Sequence, residues 1–392
     1  MPDDDLIALA RLVLAGGPVL PRRRLLERHG TPAQALAAGI ALWRAEGLDP
    51  AQIARLQGGD PDGALERTWR WLETPGHHLI GWHDADYPAP LRTISSPPLA
   101  LFVDGDPDLL WRPAVAIVGS RSPTSGGRDN AHFFARSLAA AGIVVVSGMA
   151  RGIDAAAHEA ALAAGAGTTV AVVGTGPDIA YPPTHDRLRD HLAAQGAVVS
   201  EYPPGTAALR SHFPARNRIL AGLSLGTLVV EAAEQSGALI TARQAGEAGR
   251  EVFAVPGSIH NPKARGCHRL IRDGAALVEE PREVVEALAP LANDLAHALR
   301  ARLGETESGV IAGPGEMPPR LDVDYQCLWE ALGHDPTGMD QLVSRTRLTA
   351  AELSSMLLVM ELDGLVTAEH GRYQRKTGFF TSTASMTQAE GQ

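Results

Sequence analysis

The sequence predicts a doubly wound, Rossmann-like α/β domain on a parallel sheet, with a small N-terminal helical module before it and a C-terminal winged-helix module after it. Two patterns carry this. Between 115 and 290, short apolar runs rich in β-branched residues alternate with stretches about as long as a crossover helix. Those runs lack the in/out alternation of a half-exposed sheet, so both faces are expected to be covered, as in a parallel sheet between helix layers. Length agrees, since 392 residues suffice for two to three domains at roughly 150 residues each.

Taken in order, residues 1–75 place apolar side chains at helical spacing. Leu6, Leu9, Ala10 and Val13 form one set and Leu25, Leu26, Leu36 and Leu42 another, with breaks at Gly16-Gly17-Pro18 and Gly30-Thr31-Pro32. Several short helices are expected. Residues 76–114 are rich in proline and turn residues, including Tyr87-Pro88 and Pro97-Pro98, and read as a connector with short extended pieces. Strands are then expected at 115–118, 143–146, 168–173, 197–199, 225–230 and 251–255. Residues 291–320 read as a helix and a Gly/Pro/Glu-rich linker. Residues 321–376 run helix, helix, helix, hairpin, the order of a winged helix, and 377–392 form a polar tail expected to be disordered.

Composition narrows the function. Lys+Arg total 35 against 45 Asp+Glu, a formal charge of −10, which excludes a chain attracted uniformly to nucleic acid or anionic lipid and leaves room for a local basic groove. Cys267 and Cys327 belong to no CxxC or Cys/His spacing, so no disulfide framework or structural zinc is expected. The acidic start Met1-Pro-Asp-Asp-Asp5 lacks the basic region of a signal peptide, and no apolar run reaches the ~18 residues of a membrane span. A cytoplasmic protein with no membrane partner is the expectation.

Ligands of a doubly wound sheet bind beyond the carboxyl ends of its strands. Here those ends carry Gly119-Ser120-Arg121, Ser147-Gly148 with Arg151 nearby, Gly174-Thr-Gly176, Glu201-Tyr202-Pro203 and Pro256-Gly257-Ser258. A single glycine at a strand end need only make a turn. Recurrence at several ends, twice with arginine, points to an anion site built from backbone N–H groups, hydroxyls and guanidinium groups. No GxxxxGK[ST] occurs, and the dinucleotide fingerprint fails at Ile179 and after Gly119, so no nucleotide cofactor is expected. Gly222-Leu-Ser224-Leu-Gly226 spells GxSxG, but with a helix before it and a strand after it, the reverse of a nucleophile elbow. Asp154 and His158 stand at i, i+4, where Asp154 would cap a helix and His158 would pack against it or pair with it.

The segment Arg210-Ser-His-Phe213-Pro-Ala-Arg216-Asn217-Arg218 combines guanidinium groups with an aromatic and an amide, the composition that single-stranded nucleic acid requires. The competing reading makes Phe213 a core residue and pairs Arg216 or Arg218 with a buried carboxylate such as Glu231. Ser236-Gly237 opens a helix carrying Thr241, and Lys263 precedes another, so both can add positive potential at the same rim.

These strings, in this order, resemble the DNA-processing protein A (Smf) family: Val-Ala-Ile-Val-Gly119-Ser120-Arg121, Ser147-Gly148-Met-Ala-Arg-Gly152-Ile-Asp154, Gly174-Thr-Gly176-Pro-Asp-Ile-Ala-Tyr181-Pro182, Phe213-Pro-Ala-Arg216-Asn217-Arg218 and Val255-Pro256-Gly257. The N-terminal part is similar to that family's sterile-alpha-motif-like or helix-hairpin-helix-like module and the C-terminal part to its winged helix. The resemblance implies a non-catalytic protein of natural transformation that binds and protects single-stranded DNA, loads the recombinase RecA and forms a homodimer. It also implies that Gly119, Ser120, Arg121, Arg210 and Phe213 contact the strand. His268 departs from the asparagine usual in that family.

Two other classes compete. The fold also resembles the lysine-decarboxylase-like phosphoribohydrolases, whose glycine-rich motif Gly226-Thr227 and Glu231 partly echo, though there the glutamate lies closer to the threonine. A winged helix could alternatively read duplex DNA. The Arg210 to Arg218 composition, with no acid/base pair standing out, favours the single-strand reading.

Overall fold

The computed structural model describes residues 4–60 and 62–302 and, further on, 323–332, 337–346, 348–349, 353, 356–357, 360, 366–369 and 372–375. The chain divides into two compact units, Met1–Glu305 and Thr306–Gln392.

In the first unit the helices α1 (Asp4–Leu14), α2 (Val19–His29), α3 (Pro32–Ala37), α4 (Gly39–Ala45), α5 (Pro50–Gln57) and α6 (Ala64–Leu72) form the expected bundle. Their ends follow local rules. Thr31 caps α3 ahead of Pro32, and Asp49 and Gln52 make a reciprocal capping box on α5. Leu12, Leu25, Leu26, Trp43, Ile53 and Leu56 close a separate apolar core there.

The strands are β1 (His77–Gly81), β2 (Ala100–Gly105), β3 (Ala114–Val118), β4 (Val144–Ser147), β5 (Thr169–Val172), β6 (Ala197–Ser200), β7 (Gly226–Val229), β8 (Glu251–Ala254) and β9 (Ala276–Leu277). They lie in the order β1-β2-β6-β5-β4-β3-β7-β8-β9. From β6 through β9 every neighbouring pair is parallel. The intervening helices are α7 (Ala89–Arg92), α8 (Ser125–Ala140), α9 (Ile153–Ala164), α10 (Asp186–Gln195), α11 (His212–Leu223), α12 (Ala238–Glu247), α13 (Arg265–Arg272) and α14 (Pro281–Arg302). Val115, Ile117 and Val145 pack with Phe134 and Leu138 of α8, Ala157 of α9 and Leu288 of α14. Val144, Val146, Val170 and Val172 pack with Ile219, Leu220 and Leu223 of α11. Each central strand is thus covered on both faces, which is why its sequence shows no alternation.

The stretch expected to be a connector does more than connect. β2 pairs antiparallel with β6 and β1 with β2, so residues 77–105 extend the sheet by two strands. Flanking prolines hide this pairing in the sequence, because they sit in the turns rather than in Ala100–Gly105. The segment is tied down by Tyr87, fully buried, whose hydroxyl donates to the Pro98 carbonyl at 2.9 Å.

The second unit contains α15 (Val323–Leu332), β10 (Thr337–Gly338), α16 (Met339–Thr346), β11 (Val366–Glu369) and β12 (Arg372–Arg375), with a three-stranded sheet ordered β10-β12-β11. Leu328, Leu332, Leu342, Leu353, Leu357 and Met360 form its core. The expected final hairpin is β11–β12. Residues 303–322, which hold the expected linker, and the tail 377–392 lie outside the described residues.

Candidate nucleic-acid interface

Strand order reverses between β3 and β7. β4 to β6 build outward on one side and β7 to β9 on the other, so the loops leaving β3 and β7 diverge and open a crevice at their carboxyl ends. A cleft of about 510 Å³ occupies this place. Gly119, Ser120 and Arg121 line it from the β3 loop, Phe213, Asn217 and Leu220 from α11, and Ser236, Gly237 and Thr241 from the entry to α12. Residues 213, 217 and 220 follow one face of a helix at i, i+4, i+7, which explains why one short string supplies a whole wall.

The β3 loop is rigid for local reasons. Ser120 N–H donates to the Glu231 carbonyl at 2.7 Å, and Ile153 N–H to the Ser120 carbonyl at 3.1 Å. The buried Glu231 carboxylate accepts from Thr124 N–H and the Thr124 hydroxyl at 2.8 Å each, and from Asn261 Nδ2 at 3.0 Å. Thr124 in turn caps α8. The amino end of α8 therefore faces a protein carboxylate, where a ligand anion was a possibility. Lys263, expected to add charge to the rim, instead donates from Nζ to the Ser122 carbonyl and braces this loop from outside.

Four of the expected contact residues have structural roles. Ser147 is fully buried and donates to the Ile117 carbonyl at 2.6 Å, tying β4 to β3, so its hydroxyl is spent. Gly148 is glycine because a Cβ there would collide with the Arg216 guanidinium, and Gly119 because a Cβ would come within 2.7 Å of Ile153 and 2.9 Å of the Glu231 carbonyl. Arg216 itself is only 5% exposed. Its Nη1 donates to the Val172 carbonyl, and burial brings its pKa down to about 10 despite the neighbouring Asp154. Asp154 is pushed upward by the same burial, and accepts from Gly148 N–H at 3.2 Å. The paired-arginine reading was right in kind but wrong in partner: Arg218 pairs with Glu201 at 2.5 Å, and Arg216 faces Asp154, not Glu231.

Arg121 and Arg210 are exposed and, among the described residues, their side chains make no hydrogen bond or ion pair. Phe213 is half-buried and packs into no core cluster of the described residues. Its ring meets that of Tyr181 with centroids 4.9 Å apart. Asn217 is half-buried in the cleft wall. The Ser236 hydroxyl accepts from Ala238 N–H at 3.3 Å at the start of α12. His268 Nε2–H donates to the Gly257 carbonyl at 2.9 Å, linking α13 to the loop after β8.

Tyr181 had no role in the sequence beyond the family string, and Arg151 counted only as one of the two strand-end arginines. His158 is structural as expected, but its Nδ1 meets the Thr169 hydroxyl at 2.7 Å rather than Asp154.

The family described as DNA recombination-mediator protein A matches residues 78–289, and the DprA winged helix domain matches residues 313–372. The C-terminal region thus holds a winged-helix domain. The chain is 40% identical over 316 residues to Protein Smf of Escherichia coli, covering 80% of this chain and 82% of that protein. Its structure is similar to that of DNA processing protein A from Streptococcus pneumoniae, with a TM-score of 0.63 and 38% identity over 70% of this chain and 95% of the other. It is also similar to DNA processing protein A from Helicobacter pylori, described for its unique single-stranded DNA binding mode, with a TM-score of 0.50 and 28% identity over 55% of this chain and 96% of that one. Family match, identity over most of two chains, and a shared fold agree: this chain belongs to the DNA recombination-mediator protein A family.

Proposed function

We propose that the chain binds single-stranded DNA in the cleft between the β3 and β7 loops and presents it to the RecA recombinase in natural transformation, protecting the incoming strand and catalysing no reaction of its own. The observation that carries this is Phe213, a half-buried aromatic outside the core clusters, which lines the cleft together with the exposed Arg121. A ring face for a base and guanidinium groups for phosphates bind any sequence, and suit an unpaired strand better than a duplex whose bases are stacked away. The binding mode described for the Helicobacter pylori relative supports the same ligand.

The phosphoribohydrolase reading would need Glu231 as an acid or base. Its carboxylate is buried and already accepts three hydrogen bonds from Thr124 and Asn261, which supports a bracing role instead. The cytoplasm and a homodimer belong to the same proposal. The edge strand β9, with Leu277 exposed, offers an unpaired sheet edge for a second copy. The test follows RecA assembly on a strand precoated with single-strand-binding protein. The chain should shorten the lag before RecA filaments grow, while alone it neither hydrolyses ATP nor releases base from nucleoside monophosphates. An unchanged lag, or base release abolished in Glu231→Gln, would overturn the proposal.

A further inference from the structure

A second cavity, of about 240 Å³, adjoins the cleft. The two share Arg121, Ala150, Phe213 and Arg216, and the smaller one adds Gly148, Arg151, Tyr181 and Pro182. To the ring of Phe213 and the exposed guanidinium of Arg121 it thus adds a second ring, Tyr181, and a second exposed guanidinium, Arg151. Tyr181 is 43% exposed, with its ring beside that of Phe213. Neither its hydroxyl nor the Arg151 guanidinium makes a hydrogen bond or ion pair among the described residues. Arg216, buried at the boundary of both cavities, leaves its Nε without a hydrogen-bond partner.

The loop that shapes this cavity is held in an uncommon conformation. Met149 has φ of 56°, in the left-handed region, while its side chain is fully buried. Its carbonyl lies 2.9 Å from His185 Nδ1. That turn sets Gly148, Ala150 and Arg151 around the cavity, so its shape is fixed before any ligand arrives.

We infer that the smaller cavity seats a second nucleotide of the bound strand, its base against Tyr181 and its phosphate at Arg151, next to the nucleotide whose base lies on Phe213. The cavity has room for one planar base and lies below the several hundred Å³ of a site for a larger free ligand. Arg121 and Phe213, common to both cavities, then form the partition that the strand crosses. This inference rests on the single-strand reading of the main cleft.

The experiment uses the full chain and fluorescein-labelled oligothymidylates in which a single abasic position is moved along the strand, read by anisotropy. The wild type should lose affinity at two neighbouring abasic positions. Tyr181→Ala should bind the intact strand fivefold to a hundredfold more weakly, the range of one lost base–aromatic stack, and should become insensitive to one of those two positions. Tyr181→Phe should behave as wild type. Arg151→Gln, at an exposed side chain, should flatten the log–log salt slope by about 0.7. If Tyr181→Ala melts early, Arg151→Gln carries the decision. Wild-type affinity, salt slope and abasic pattern in both variants would overturn the inference while leaving Phe213 and the main cleft intact. Displacement of the strand by micromolar thymidine monophosphate, lost in Tyr181→Ala, would overturn it by assigning the cavity to a free nucleotide. A wild type that bound no single strand would remove both this inference and the reading beneath it.

Discussion

Phe213 decides most at the scale of single residues. Sequence composition left it between a stacking platform and a core side chain, and its half-burial outside the core clusters favours the platform. Phe213→Ala should weaken strand binding by ~1–3 kcal/mol with the salt slope unchanged, because stacking releases no counterions. Its melting midpoint should stay close to that of the wild type, whereas truncating a core phenylalanine costs ~3–5 kcal/mol of stability. A strongly destabilised variant whose folded fraction bound normally would remove Phe213 from the site. Arg121 and Arg210 were legible because an exposed arginine at a loop needs only its residue type to be recognised. Ser147 and Arg216 were not, since a hydroxyl or guanidinium reads alike in sequence whether it faces a cleft or, as here, a neighbouring strand's carbonyl. Tyr181 acquires meaning only through the ring of Phe213, thirty-odd positions away in the chain.

Between elements, buried polar groups tie helices and loops to the sheet. Glu231 joins the ends of β7 and β3 to the cap of α8, and no spacing rule announces a contact between positions 124 and 231. His158 fastens α9 to β5. The Thr169 hydroxyl donates to the Val145 carbonyl at 2.7 Å, so it accepts from His158 Nδ1–H. Burial, with Arg216 and His185 adding repulsion, holds its pKa down at about 3, against an ordinary value of 6.5. Below pH 6.5 the unfolded chain takes up a proton that the folded chain refuses. The contribution of His158 is therefore complete above that pH and falls as pH drops towards 3, by at most about 1.4 kcal/mol per pH unit. Denaturant unfolding between pH 7 and 4 should show a shallower loss of stability in His158→Asn than in the wild type. Equal slopes would mean that the imidazole is protonated in the folded protein. The central strands were legible because double burial leaves unbroken apolar runs, but β1 and β2 were not, because a pair of antiparallel edge strands between proline turns resembles a loop.

At the level of the whole molecule, a chain of formal charge −10 must bind a polyanion through a local field. The fold concentrates that field by gathering strand-end loops at the switch point, where Arg121 and Arg151 line the two cavities, while Arg210 stands in the turn ahead of α11; all three are exposed and unpaired among the described residues. Fold class and the crevice at the switch point of the sheet followed from the parallel-sheet pattern. Which cations are free and which are consumed by carbonyls and carboxylates followed only from the packed structure, and that difference has a measurable consequence. Were Lys263 and Arg216 phosphate ligands as well, the salt dependence would be steeper. With three free arginines at ~0.7 each, the slope of log affinity against log salt should be about −2. The most direct measurement is therefore a salt titration of affinity for a single strand and for a duplex of the same length. The expected result is tighter binding of the single strand at physiological salt with a slope near −2, and equal affinity for the two, or a slope near zero, would contradict the assignment of this cleft.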